Sequence, residues 1–101
     1  MSINLDQSSV VIIVFTVPGC GACENYKPRF QQIAQRYAQH VPVIMANAND
    51  PKYQDLANKY NVDNVPATFV LRKPSGLIRV EGAIPDNQII WLFEVALREQ
   101  R

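Results

Sequence analysis

Hydrophobic and polar positions change rhythm several times along the chain, and each change predicts an element. Residues 10–16 (VVIIVFT) are dominated by Val, Ile and Phe without alternation, the pattern of a central strand covered on both faces. Pro18-Gly19 stops the run with a turn signal. Beyond it, Tyr26, Phe30, Ile33, Ala34 and Tyr37 recur at helical spacing as one apolar stripe, which predicts a helix running to about His40. Pro28 lies inside that helix and is expected to kink it, because proline removes one backbone donor and crowds the carbonyl four residues earlier.

Residues 41–46 (VPVIMA) read as a second, short buried strand. Asp50-Pro51 then supplies a helix cap followed by a proline at the first helical position, and Tyr53, Leu56, Ala57 and Tyr60 give a short amphipathic helix. ATFVLR (Ala67–Arg72) and LIRVEG (77–82) are two strands joined through KPSG as an antiparallel hairpin. From Asp86 to about Gln100, the residues Ile89, Ile90, Leu92, Phe93, Ala96 and Leu97 trace a closing helix. The order β α β α β β α contains no repeat, linker or low-complexity tract. A crossover from the first strand through the long helix lays the second strand parallel beside it, and the hairpin adds antiparallel partners. The fold class is therefore α/β, a three-layer sandwich around a mixed sheet of four strands with room for a fifth.

Composition narrows the picture. At 101 residues, 48% hydrophobic and 19% charged, the chain has the size and balance of one globular domain spanning residues 1–101. Ten Lys plus Arg are scattered among nine Asp plus Glu, which argues against a nucleic-acid partner. The longest apolar run, VVIIVF, is far short of the roughly 18 residues of a membrane span. MSINLDQSS before it lacks a basic leader region, so a soluble, monomeric protein of the reducing cytoplasm is expected.

Both cysteines of the chain, Cys20 and Cys23, fall at the junction of the first strand and the long helix, where active groups collect in such folds. Residues three apart share a helix face, so the two sulfurs can approach bonding distance across the first turn. At the helix start, unpaired amides and the positive end of the macrodipole stabilise a thiolate, commonly lowering the pKa into the range of about 3.5 to 7.5. Cys20 then attacks a substrate disulfide, and the less accessible Cys23 resolves the mixed disulfide.

Three other readings compete. A closed zinc site takes four ligands, and only His40, at the far end of the same helix, joins the two cysteines. Metal ligands are accordingly assigned to none, and no cofactor is expected. Two buried structural thiols form the second alternative, and a permanent disulfide, disfavoured in a reducing compartment, the third.

Cys20-Gly21-Ala22-Cys23 at a strand-to-helix turn, with NVPAT (64–68) before a later strand, resembles the thioredoxin family. Pro28 falls where that family kinks its active-site helix, and Gly76 in the hairpin turn and Gly82 after the last strand also match family glycines. The resemblance implies a cis-proline at Pro66 packed against the disulfide, with the backbone of Val65 pairing with an extended substrate. Gly19, Gly21, Ala22, Val65, Pro66 and Gly82 would then form the substrate-binding surface around the catalytic Cys20 and Cys23. Disulfide-containing proteins would be the substrates and a thioredoxin reductase the electron donor, with glutathione as the alternative donor.

Departures from the pattern are specific. Gly19 stands where the family usually has Trp, Ala22 replaces the Pro between the cysteines, and Glu24 replaces a basic residue. The family's buried Asp and its companion Lys align with Val14 and Met45, which puts the speed of resolution by Cys23 in question. Trp91 belongs to the closing helix and reads as core. With nine residues before the first central strand, the start is short for the family and looks like glutaredoxins.

The leading function is a small thiol-disulfide oxidoreductase that reduces protein disulfides. A glutathione-dependent glutaredoxin-like enzyme and a protein-binding module with a secondary redox role are the alternatives. Replacing the middle Pro by Ala loosens the first helical turn and alters the balance of dithiol and disulfide. A reduction potential less reducing than in typical family members is expected, measured by titration against a glutathione redox buffer; a more negative value would refute it.

Overall fold

β1 (Val10–Thr16) is buried along its whole length because its side chains alternate between two separate cores. Val10, Ile12 and Val14 face one, and Val11, Ile13 and Phe15 face the other. Burying each such side chain contributes roughly 1.5–3 kcal/mol, so a strand apolar on both faces is stable only in the middle of a sheet covered on both sides. The computed structural model, which describes residues 10–72 and 75–99, places it there.

The remaining elements follow in chain order: α1 (Gly21–Ala34), β2 (Val43–Asn47), α2 (Pro51–Lys59), β3 (Ala67–Arg72), β4 (Ser75–Glu81) and α3 (Asp86–Glu99). Among the described residues the strands form one mixed sheet in the order β2-β1-β3-β4. β1 and β2 are parallel, while β3 runs antiparallel to both β1 and β4. Tyr26, Phe30 and Ile33 of α1 and Ile89, Leu92, Phe93 and Ala96 of α3 cover one face. The smaller α2 covers the other through Ala57, with Tyr53, Leu56 and Tyr60 packed alongside. Three layers result, as the periodicity predicts.

Boundaries differ from the sequence reading at three places. α1 ends at Ala34 and continues as a 3-10 turn over Gln35–Tyr37, short of His40. The N–H groups of His40 and Val41 both reach back to the Tyr37 carbonyl at 2.9 Å, turning the chain toward the sheet. β2 begins at Val43 rather than at residue 41, because Pro42 has no N–H to give and joins the ladder only as the acceptor for Ile12 N–H at 3.0 Å. β4 starts at Ser75, two residues before the expected strand, and Gly76 pairs with Leu71 instead of forming the turn. Ile78 pairs with Val70, so Leu77 is an extra residue that bulges the strand. Residues 73–74, where the rest of the expected turn falls, lie outside the described residues. α1 itself is continuous through Pro28.

One polar pair sits inside the core between α1 and the sheet. The hydroxyls of Tyr26 and Thr68 lie 2.9 Å apart, and both side chains are buried. Burial, which disfavours the phenolate, raises the Tyr26 pKa above 10.0 despite the opposing effects of Thr68 and Arg29. A raised folded pKa means that this stabilisation is complete below the unfolded value and is lost as pH rises through the folded one. Tyr26→Phe and Thr68→Val are each expected to cost about 1 kcal/mol in urea denaturation, with the double variant costing less than their sum because no buried hydroxyl is then orphaned.

Candidate active site

β1 ends at Thr16, and Pro18 and Gly19 carry the chain round into α1. Gly19 has φ +79°, the left-handed region in which a side chain is strained, although open space surrounds the position. The tight turn thus suits a glycine at this position.

Cys20 follows in extended conformation, φ −89° and ψ 110°, as the N-cap of α1. Its Sγ accepts a hydrogen bond from the Cys23 backbone N–H at 3.1 Å, the role that a serine or aspartate oxygen takes at many helix starts. Its carbonyl accepts from the Glu24 N–H at 3.0 Å, the first bond of the helix. A sulfur so placed receives an N–H dipole and the positive helix end, both of which favour thiolate over thiol.

Cys20 and Cys23 are joined as a disulfide, with Cα atoms 5.2 Å apart. Cys20 is partly exposed, whereas Cys23 is 0% exposed. That difference separates the two sulfurs chemically: an incoming molecule can reach the first, and only the first can reach the second.

A second segment closes on the pair from the sheet. The Val65 carbonyl oxygen lies 3.8 Å from Cys20 Sγ, and the Val65–Pro66 peptide bond is cis. Pro66 is buried, and its carbonyl accepts from the Gly82 N–H at 2.8 Å. Gly82, at φ +93°, is the other position whose backbone demands glycine. Cys20, Val65, Pro66 and Gly82 are therefore linked across one end of the sheet, with Gly21 and Ala22 exposed on the first helical turn. His40 lies at the opposite end of α1, beyond the 3-10 turn. Among the described residues no group of three or more His, Cys, Asp or Glu side chains is placed to hold a metal. An open cleft of about 490 Å³, lined by Gln31, Ala34, Gln35, Ala38, Val41 and Pro42, also sits at that far end, away from the sulfurs.

Sequence reasoning missed the polar groups that hold the Val65 segment. Arg79 donates to the carbonyls of Tyr60 and Asn61 and to Glu81, while Asn64 donates to Glu81 at 3.2 Å. These bonds, Arg79 first and Asn64 second, hold the Glu81 carboxyl below its usual pKa. The alternation of strand residues carried the signal, since Arg79 and Glu81 are two apart and share a face. Arg29 was missed likewise: it bonds the Ile84 carbonyl at 3.2 Å and Asp86 at 2.6 Å, pinning the segment after Gly82 to α1.

The family model described as Thioredoxin matches residues 2–94. The chain belongs to the thioredoxin family. It is 29% identical over 87 residues to Thioredoxin Y, chloroplastic, of Oryza sativa subsp. japonica, covering 86% of this chain and 51% of that protein. Against Thioredoxin 1 of Synechococcus elongatus the identity is 28% over 85 residues, covering 84% and 78% respectively. The chain thus spans about half the length of the rice relative. Among solved structures, mitochondrial thioredoxin 3 of Saccharomyces cerevisiae, in its oxidized form, superposes with a TM-score of 0.75 at 19% identity, over 89% of this chain and 82% of that one. The thioredoxin fold accounts for the mixed sheet and its flanking helices.

Val14 and Met45, where the resemblance implies an acid and a lysine, are neighbours in register across β1 and β2. Val14 also pairs with Thr68, which sets the Tyr26–Thr68 hydroxyl pair beside the same spot. Trp91, expected in the core, is instead 52% exposed on the outer side of α3. Glu24 stands in the first turn of α1, exposed.

In the reduced protein, Cys20 is expected to react with iodoacetamide at least about tenfold faster than Cys23 at neutral pH, because only its sulfur is both reachable and stabilised as thiolate. Peptide mass spectrometry after brief alkylation reads the ratio, and equal labelling would contradict the assigned asymmetry.

Proposed function

We propose that this protein reduces protein disulfides by dithiol-disulfide exchange, with Cys20 as nucleophile and Cys23 as resolving thiol. The observation that carries the reading is the Cys23 N–H bonded to Cys20 Sγ at a helix N-cap, above a Cys23 side chain sealed from solvent. The Cys20 thiolate attacks one sulfur of the substrate disulfide; that bond breaks, a mixed disulfide forms, and a substrate thiolate departs. Cys23 loses its proton and attacks Cys20 Sγ, and the second substrate thiolate leaves. The substrate gains two electrons, one proton from Cys23 and the other from solvent, and the pair ends as the disulfide seen here. With Val14 and Met45 apolar, the proton of Cys23 has no carboxylate at those positions to accept it, so a departing substrate thiolate is the base nearest to hand.

Substrate binds along Val65, whose backbone pairs with an extended segment of the target protein. Pro66, without an N–H, offers no competing donor beside the sulfurs, and Gly19, Gly21, Ala22 and Gly82 present a surface of small residues that lets a folded partner approach closely. Regeneration requires a two-electron donor; a thioredoxin reductase is the donor proposed, and glutathione, two molecules per disulfide, the alternative. A reducing compartment suits this direction of exchange, and the cytoplasm is the one proposed. No helix among the described residues is long and apolar enough to cross a membrane.

Cys20→Ser is expected to abolish insulin reduction, and Cys23→Ser to accumulate a mixed disulfide that non-reducing electrophoresis detects. Undiminished turnover by Cys20→Ser would end the proposal, and turnover with glutathione but not with thioredoxin reductase would reassign the donor.

A further inference from the structure

The strand β4 meets the Val65 segment at three successive points, and the pattern has a direction. α2 closes with the Asn61 N–H bonded to the Asn58 carbonyl at 3.1 Å and the Val62 N–H to Ala57 at 3.0 Å, with Asn61 itself at φ +52°. This helix end leaves the carbonyls of Tyr60 and Asn61 facing outward at the negative end of the helix dipole. The guanidinium of Arg79 occupies that place: one terminal nitrogen donates to Tyr60, the other to Asn61 at 2.8 Å. Its plane lies over the Phe69 ring at 5.2 Å, and Phe69 packs in turn on Tyr60 at 5.1 Å. The same guanidinium holds Glu81 through two bonds to Oε2, at 2.8 and 3.1 Å. Glu81 uses its other oxygen, Oε1, to accept from Asn64 at 3.2 Å, and the next residue, Gly82, donates to the Pro66 carbonyl at 2.8 Å. Arg79 thus holds the start of the loop, Glu81 its end, and Gly82 the proline after it; between the last two stands Val65, with its carbonyl 3.8 Å from Cys20 Sγ.

We propose that Arg79, acting through Glu81 and Asn64, is a positioning residue that fixes the 60–65 loop in the conformation that receives an extended protein substrate. This rests on the dithiol-exchange reading above and adds to it the part of the molecule that selects protein over small-molecule disulfides. The Arg79–Glu81 pair is more than a third exposed on both sides, and surface ion pairs contribute little to global stability, so holding one loop geometry is the effect left to it. A loop already ordered spares the ordering entropy that binding would otherwise cost, and that gain applies only to a ligand that pairs with its backbone. A small aromatic disulfide needs the sulfur of Cys20 and nothing of the loop.

Single-turnover oxidation of the fully reduced protein separates these effects when followed by quenching with an alkylating agent. In Arg79→Met, the concentration of insulin giving half-maximal rate is expected to rise about five- to tenfold, with the plateau rate within about twofold. The rate with 5,5′-dithiobis(2-nitrobenzoate) and the equilibrium with glutathione are expected to stay within about twofold of the parent, since Cys20 and its helix cap are untouched. Arg79→Lys keeps the charge but not the fork, and is expected to restore less than half of the insulin effect. Asn64→Ala, at an exposed position, removes one link only and is expected to shift the insulin value in the same direction by about two- to threefold; it carries the test alone if Arg79→Met does not fold. An unchanged insulin value in Asn64→Ala or in folded Arg79→Met, or an equal loss with both disulfides, overturns the positioning role. Failure of the underlying reading looks different, because Cys20→Ser would then keep its activity with both disulfides whatever occupies position 79.

Discussion

The hydrogen bond from the Cys23 N–H to the Cys20 sulfur exists only because β1 ends where it does. A strand buried on both faces cannot continue past the sheet without exposing apolar side chains, so the chain turns at Pro18-Gly19 and begins a helix at once. The first residue of that helix must cap it, and the capping atom is sulfur. Stabilising the helix end and favouring the thiolate are the same interaction, which is why structure and reactivity cannot be separated at Cys20. Cys23 is buried by the same geometry, since a residue one turn into an amphipathic helix falls on the face that packs against the sheet.

Around that bond, the polar groups fall into a buried hydroxyl pair and an exposed charged set. Val14 and Met45 are apolar neighbours in register across β1 and β2, and the buried Tyr26–Thr68 hydroxyl pair is the polar contact beside Val14. On the opposite side of the sheet, charged groups hold backbone: Arg79, Glu81 and Asn64 tie the loop before Pro66 to β4. Arg29 does the same for the segment after Gly82. The two halves of the site are thereby held by surface interactions that are individually weak, while the sulfur turn is held by the core.

Much of this was legible in the residues. The uniform apolar run of β1, the helical stripe of α1 and the cap at Asp50-Pro51 each announce an element because each satisfies a local rule of burial or backbone bonding. The Cys-Gly-Ala-Cys spacing at a strand-to-helix junction located the reactive pair for the same reason. Less legible were the places where a neighbour decides: Pro42 delays β2 because the missing donor matters only once β1 lies alongside, and Leu77 bulges β4 because β3 runs opposite. Trp91, read as core although it lies outside the apolar stripe of α3, sits on the outer side of that helix, because a helix against a small sheet buries only part of its circumference.

Local sequence therefore settled which segments become strands and helices and where two thiols meet a helix start, since those depend on contacts between residues close in the chain. That Gly19 and Gly82 serve the backbone was shown by the structure, through their left-handed angles. Val65 and Pro66 opposite Cys20 were reachable from the residues only through the NVPAT resemblance, and the polar groups that hold them were decided by the fold alone. Val65 is 45 positions away in the chain, and Arg79 reaches Tyr60 and Asn61 only after β4 has returned beside β3. Such pairings carry no periodic signature, because nothing in the spacing of a chain records which of its distant segments will share an edge until the sheet has closed around them.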